Sequence, residues 1–170
     1  MRKVQIAVIG YNNDRCTEIA RYMAYEVGKE IALAGAVLVC GGLGGVMESA
    51  CRGAQEAGGS TVGIIPQDEF SYANQFCDIV ISTGFGYGRD IIVSSSADGI
   101  IVVGGGAGTL MELSVGYITK KIIVAISGTG GVADMYGGKL LDERNKVLIS
   151  KADDAKTAVD MILLAKNYKK

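Results

Sequence analysis

Gly99-Ile100-Ile101-Val102-Val103-Gly104-Gly105-Gly106-Ala107-Gly108-Thr109-Leu110-Met111-Glu112 is the stretch on which the fold turns. An unbroken apolar, β-branched run passes through a glycine cluster into a helical pattern. A strand that is apolar at every position has both faces covered, and such strands belong to parallel sheets flanked by helices. The pattern recurs along the chain. Strand candidates are residues 4–9, 36–40, 61–65, 79–82, 99–103, 122–126 and 146–149. Helix candidates fill the gaps at 14–33, 45–57, 89–97, 109–119 and 153–167. Segment 89–97 is helix only by necessity, because two parallel strands need a crossover between them. The β-α-β alternation predicts an α/β, Rossmann-like, doubly wound and mostly parallel sheet of about seven strands, with helices on both faces.

Composition narrows the chemistry. The chain has 170 residues, 49% of them apolar, and reads as one domain over 1–170. Lys plus Arg is 17 and Asp plus Glu is 18, so no basic surplus marks a nucleic-acid binder. Histidine is absent, which excludes Ser-His-Asp and Cys-His catalysis and His-ligated metals. The four cysteines (Cys16, Cys40, Cys51, Cys77) show no C-x-x-C spacing. They read as buried apolar residues of a cytoplasmic protein, with no metal site expected. The longest uncharged stretch, 31–47, contains five glycines and reads as helix end, strand and turn, not as a membrane span. Glycine itself is the anomaly, with 25 residues.

Those glycines form a short internal repeat. Gly41-Gly42-Leu43-Gly44-Gly45-Val46-Met47-Glu48 aligns with Gly105-Gly106-Ala107-Gly108-Thr109-Leu110-Met111-Glu112, each after an apolar strand and before a helix. In such a turn backbone N–H groups can approach an anion, and the helix dipole favours its charge. The expected phosphate-binding residues are therefore Gly41, Gly42, Gly44, Gly45 and Glu48 in the first turn. In the second they are Gly105, Gly106, Ala107, Gly108 and Thr109. Neither turn is a Walker loop, since no Gly-Lys-Ser/Thr follows.

Glu112 admits two readings of equal standing. Thr109-x-x-Glu112 matches a capping box, and the carboxylate one turn into an anion-binding helix could serve catalysis. Glu48 has Gly45 where a cap would need Ser or Thr, which favours a solvent- or ligand-facing side chain. Arg89 follows Gly84-Phe85-Gly86-Tyr87-Gly88, a loop able to deliver a guanidinium to a phosphate. Tyr11 and Asn12 lie just past the first strand on the same edge, whereas Asp98 reads as a turn residue and Met47 and Met111 as core.

Residues 3 to 126 resemble the LOG-like family, also called lysine decarboxylase-like, within the SLOG/DprA-type Rossmann group. The family hallmark P-G-G-x-G-T-x-x-E is matched from Gly104 to Glu112, with glycine in place of proline. A family arginine nine residues before an aspartate falls on Arg89 and Asp98. The resemblance implies a nucleoside 5'-monophosphate phosphoribohydrolase that cuts the N-glycosidic bond, with Glu112 and Arg89 as its catalytic pair. The family lysine after the arginine is Asp90 here. The short chain and the lost proline are similar to the subgroup of molybdenum cofactor carrier proteins, which bind a phosphorylated pterin without transforming it. The main expectation is thus a protein that binds a nucleotide or other phosphorylated ligand, with hydrolysis possible. The alternatives are a non-catalytic pterin carrier and a ligand-sensing module. No cofactor beyond bound nucleotide or phosphate is expected. Lysine decarboxylation has no support, because no lysine announces a pyridoxal phosphate Schiff base.

The expected partners are a small phosphorylated ligand and a second copy of the chain, without nucleic acid or membrane. The homodimer expectation rests on the segment 110–118, where Leu110, Met111, Leu113, Val115, Tyr117 and Ile118 surround most of a helix circumference. The C-terminal helix and the 127–141 region are the competing cover for that surface.

Overall fold

The computed structural model describes residues 2–144 and 147–168. Seven strands form its sheet: β1 (Gln5–Gly10), β2 (Val37–Cys40), β3 (Ser60–Ile65), β4 (Ile79–Ser82), β5 (Gly99–Val103), β6 (Ile122–Ile126) and β7 (Ser150–Ala152). They are ordered β4-β3-β2-β1-β5-β6-β7, and every pairing among them is parallel. Six helices accompany the sheet: α1 (Glu18–Leu33), α2 (Val46–Glu56), α3 (Arg89–Ser95), α4 (Ala107–Ile118), α5 (Gly131–Tyr136) and α6 (Ala155–Tyr168).

Side-chain alternation along each strand splits the core in two. Ile6 and Val8 of β1 join Ile101 and Val103 of β5 beneath α1, α2 and α6. Ala7 and Ile9 join Ile100 and Val102 beneath α3, α4 and α5. Both faces of the central strands are therefore buried, which explains their continuous Val/Ile runs. The chain works outward from β1 to β4, then returns to place β5 on the other side of β1. The order reverses between β1 and β5, and their carboxyl ends flank the crevice where open α/β sheets take ligands.

Three expectations shift. The first helix begins at Glu18 and not at residue 14, because Thr17 is extended and its hydroxyl accepts from the Ala20 N–H at 3.1 Å. Asp14 and Arg15 are thereby released into the loop after β1. The last strand is Ser150–Ala152, paired with β6, and not 146–149. Lys146 lies outside the described residues. Leu148 instead bridges antiparallel to Leu140, and the Ile149 N–H donates to the Lys139 carbonyl at 2.9 Å. An apolar run alone does not distinguish a sheet strand from such a return. The short α5 was concealed by its glycines; Asp134 holds its start by accepting from the Gly128 and Gly130 N–H groups at 2.7 and 2.9 Å.

Among the described residues, no helix is long and apolar enough to cross a membrane.

Candidate functional site

A cavity of about 590 Å³ opens at the crevice between β1 and β5. Four loops supply most of its walls. The first contributes Gly10, Tyr11, Asn12, Asp14 and Arg15, and the loop after β3 contributes Pro66 and Gln67. The third brings Tyr87, Arg89 and Asp90, and the fourth brings Gly106, Ala107, Gly108, Thr109 and Glu112. Leu43 and Met47 close one side.

The two glycine turns, so alike in sequence, are used differently. In the second, α4 starts after Gly106, and Gly106, Ala107 and Gly108 are exposed to the cavity. Helix geometry leaves the first N–H groups of α4 without intrahelical carbonyls, so they are offered to an anion. Behind them the turn is held rigidly. The carbonyls of Gly104 and Gly105 accept from the Ala133 and Val132 N–H groups of α5, both at 3.0 Å. The Gly104 N–H donates to Thr129 Oγ1 at 2.8 Å.

Gly104 has φ +62°, and a side chain there would overlap the Tyr11 ring. Proline can adopt neither that backbone nor that hydrogen bond. The glycine at the hallmark's first position is thus a different turn geometry and not a decayed motif.

In the first turn three amides are already engaged. The Gly42 N–H donates to Cys40 Sγ at 3.3 Å, the Gly45 N–H to Asn13 Oδ1 at 2.8 Å, and the Val46 N–H to the Tyr11 carbonyl at 2.9 Å. Gly41, Gly42, Gly44 and Gly45 are not among the cavity residues. The turn clasps the β1 loop, and the Gly41 carbonyl accepts from Arg89 Nη2 at 3.3 Å. Glu48 faces a separate shallow cleft between α1 and α2, beside Arg21, Tyr25 and Arg52.

The structure does bring Arg89 and Glu112 together, both buried, with Nη1 and Oε1 3.9 Å apart. Asp90, also buried, pairs directly with Arg89 Nη1. Arg89 Nε lacks a hydrogen-bond partner. Glu112 does not cap α4: the N-cap is Gly106 with no side-chain bond, and Thr109 Oγ1 donates to the Gly10 carbonyl at 3.1 Å. Burial pushes the Glu112 carboxyl up to about 8, against the opposing pull of Arg89. The same desolvation lowers the pKa of the Arg89 guanidinium.

Asp98, paired with Arg89 in the family spacing, lies at the opposite end of the sheet. It stands just before β5, where its carboxylate accepts from the Gln5 N–H at 2.9 Å and binds Arg2 at 2.6 Å and Lys166 at 2.5 Å. The Arg2 guanidinium, with Lys166, holds its carboxyl well below the usual range.

Sequence reasoning missed Asp14, Arg15, Pro66, Gln67 and Tyr87. Gln67 Oε1 is buried at the cavity wall without a hydrogen-bond partner among the described residues. The lone proline beside Gln67 was the one local signal of a special loop there.

Fold and site define a Rossmann-like protein whose α4 begins at a cavity at the switch point of its sheet. The chain belongs to the SLOG cluster4 family, whose model matches residues 3–162. An uncharacterized protein of Archaeoglobus fulgidus is 41% identical over 126 residues, covering 74% of this chain and 82% of its own. The structure of TM1055 is similar with a TM-score of 0.88 at 31% identity, covering 95% of this chain and 99% of that one. The molybdenum cofactor binding protein of Rippkaea orientalis gives 0.86 at 31% identity, covering 100% and 99%. The molybdenum cofactor carrier protein of Chlamydomonas reinhardtii gives 0.81 at 34% identity, covering 99% and 100%. DNA processing protein A of Helicobacter pylori shares the fold alone, with a TM-score of 0.68 at 17% identity.

These relatives correct one expectation. No cofactor beyond a nucleotide or phosphate was expected, yet near-full-length relatives of this chain bind or carry molybdenum cofactor. Nor do they support phosphoribohydrolase activity.

Proposed function

We propose that this chain is a carrier: it binds a phosphorylated pterin of molybdenum-cofactor type in the switch-point cavity and releases it unchanged. The observation that carries the reading is the amino terminus of α4 opening into that cavity. The carrier relatives indicate which phosphorylated ligand to place there. The N–H groups of Ala107, Gly108 and Thr109 would hold the phosphate. Asn12, Asp14 and Gln67 supply the mixed donors and acceptors that a pterin edge requires, and the orphaned Gln67 Oε1 is an acceptor awaiting a donor. Among the described residues lining the cavity there is no cysteine or histidine to offer a metal a soft ligand.

One feature favours carriage over hydrolysis. Arg89 is neutralised by Asp90, where the hydrolase pattern has a second cation.

Mass spectrometry of the small molecule bound to purified protein tests the reading, with molybdenum measured in parallel. A phosphorylated pterin recovered intact is the expected result. Free base released from a panel of nucleoside 5'-monophosphates would overturn it. The placement is tested by Gly108→Leu. A Cβ there meets nothing nearer than Asp90 Oδ2 at 3.9 Å, so the fold tolerates it while the side chain enters the cavity. Pterin affinity should fall by about tenfold or more, the loss of at least one charge-assisted hydrogen bond. Unchanged affinity would move the phosphate elsewhere.

A further inference from the structure

Away from the cavity, three of the four cysteines converge. Cys40 ends β2, Cys51 lies in α2, and Cys77 stands two residues before β4. The Cys40 and Cys51 sulfurs are 3.4 Å apart and those of Cys51 and Cys77 3.9 Å. All three lie within 4.8 Å of one another. Cys40 and Cys51 are buried and Cys77 is half-buried, so the trio has one accessible member.

The surroundings make room for the sulfurs. A Cβ on Gly63 would come 2.5 Å from Cys77 Sγ, and the bare glycine lets that thiol turn inward. The Gly42 N–H donates to Cys40 Sγ at 3.3 Å, a bond that strengthens when the sulfur is anionic.

We infer that Cys40, Cys51 and Cys77 form a three-thiolate site for a thiophilic cation, Cu(I). Three sulfurs at about 2.3 Å from a central ion stand roughly 4 Å apart, close to the spacing already present. All three donors are soft, which selects Cu(I). A structural zinc requires a fourth ligand. Among the described residues no fourth His, Cys, Asp or Glu joins the group. Asp78, next to Cys77, is committed elsewhere: its Oδ2 accepts from Thr61 N at 2.9 Å and Thr61 Oγ1 at 3.0 Å. Binding displaces the thiol protons to solvent, so uptake acidifies the medium. Simple core packing is the competing account, and it needs no sulfur.

The test is an anaerobic titration of the reduced full-length chain with Cu(I) supplied as its acetonitrile complex, against bicinchoninate as competing chelator. The expected result is one equivalent taken from the chelator, with proton release and an X-ray absorption shell of three sulfurs. Cys77→Ser, at the half-buried position, should keep its melting temperature and lose more than about tenfold in copper affinity, since even outer-shell changes cost that much. Cys16→Ser should match the parent. The proposal is overturned if the chelator keeps its copper, if Cys77→Ser and the parent bind equally, if the shell contains nitrogen or oxygen, or if zinc binds in preference. Loss of two hydrogen masses in air, two thiols oxidised by oxygen to a disulfide, without copper uptake would also reject the metal site.

Discussion

A carboxyl group in the wall of a cavity, held away from water, keeps its proton well above the ordinary range. Glu112 is such a group, with its pKa raised from 4.5 to about 8 by burial. Below about 4.5 both folded and unfolded chains are protonated there. Between about 4.5 and about 8 only the folded chain holds the proton, so stability falls as pH rises through that window. Glu112→Gln removes the titration. Its melting temperature should gain on the parent by several degrees between about pH 5 and about pH 8.5. Parallel melting curves across that range would show that Glu112 is not held in its protonated form. The capping box was legible in the letters Thr109 to Glu112 but is not built, because α4 starts at Ala107 and leaves Glu112 too far along for the N-cap. Local spacing cannot tell which residue will be the cap.

At the scale of elements, the strand-turn-helix unit repeated at 41–48 and 105–112 was visible from its glycines alone. Its two uses were not. The first turn gives its amides to Asn13, Tyr11 and Cys40, and the second leaves α4 open because α5 grips it from behind. Gly104→Pro tests that grip. It removes the N–H donated to Thr129 and forces φ away from +62°, so stability should drop by at least about 2 kcal/mol. Denaturant unfolding measures this. A variant as stable as the parent would mean that the turn can adopt the geometry of the proline-bearing hallmark.

For the whole molecule, the outer surface of α4 and α3 bears on assembly. Leu113 and Tyr117 are buried against the sheet, with the Tyr117 hydroxyl donating to Asp142 Oδ1 at 2.8 Å. Ile118 and Ile91 remain 54% and 52% exposed. α6 cannot cover them, since it packs on the other face of the sheet. α5 covers only its own stretch through Val132 and Ala133. A second copy of the chain is the expected cover. Light scattering at micromolar concentration should give at least twice the 17.7 kDa of one chain, and a mass near 17.7 kDa would reject the dimer.

What the sequence determined by itself is the architecture. Continuous apolar strands demand cover on both faces, and glycines mark where strands pass into helices, so a parallel sheet with helices on both sides follows from local pattern. Only the tertiary structure decided which loops meet. The reversal between β1 and β5 brings the segments 10–15, 66–67, 87–90 and 106–112 around one cavity, and it sends Asp98 to the far edge to pin Arg2 and Lys166. It also gathers Cys40, Cys51 and Cys77, whose spacing along the chain shows no motif. The physical reason is that strand order and burial arise from contacts between residues distant in the chain. The same carboxylate, amide or thiol acquires its chemistry from neighbours that no local window contains.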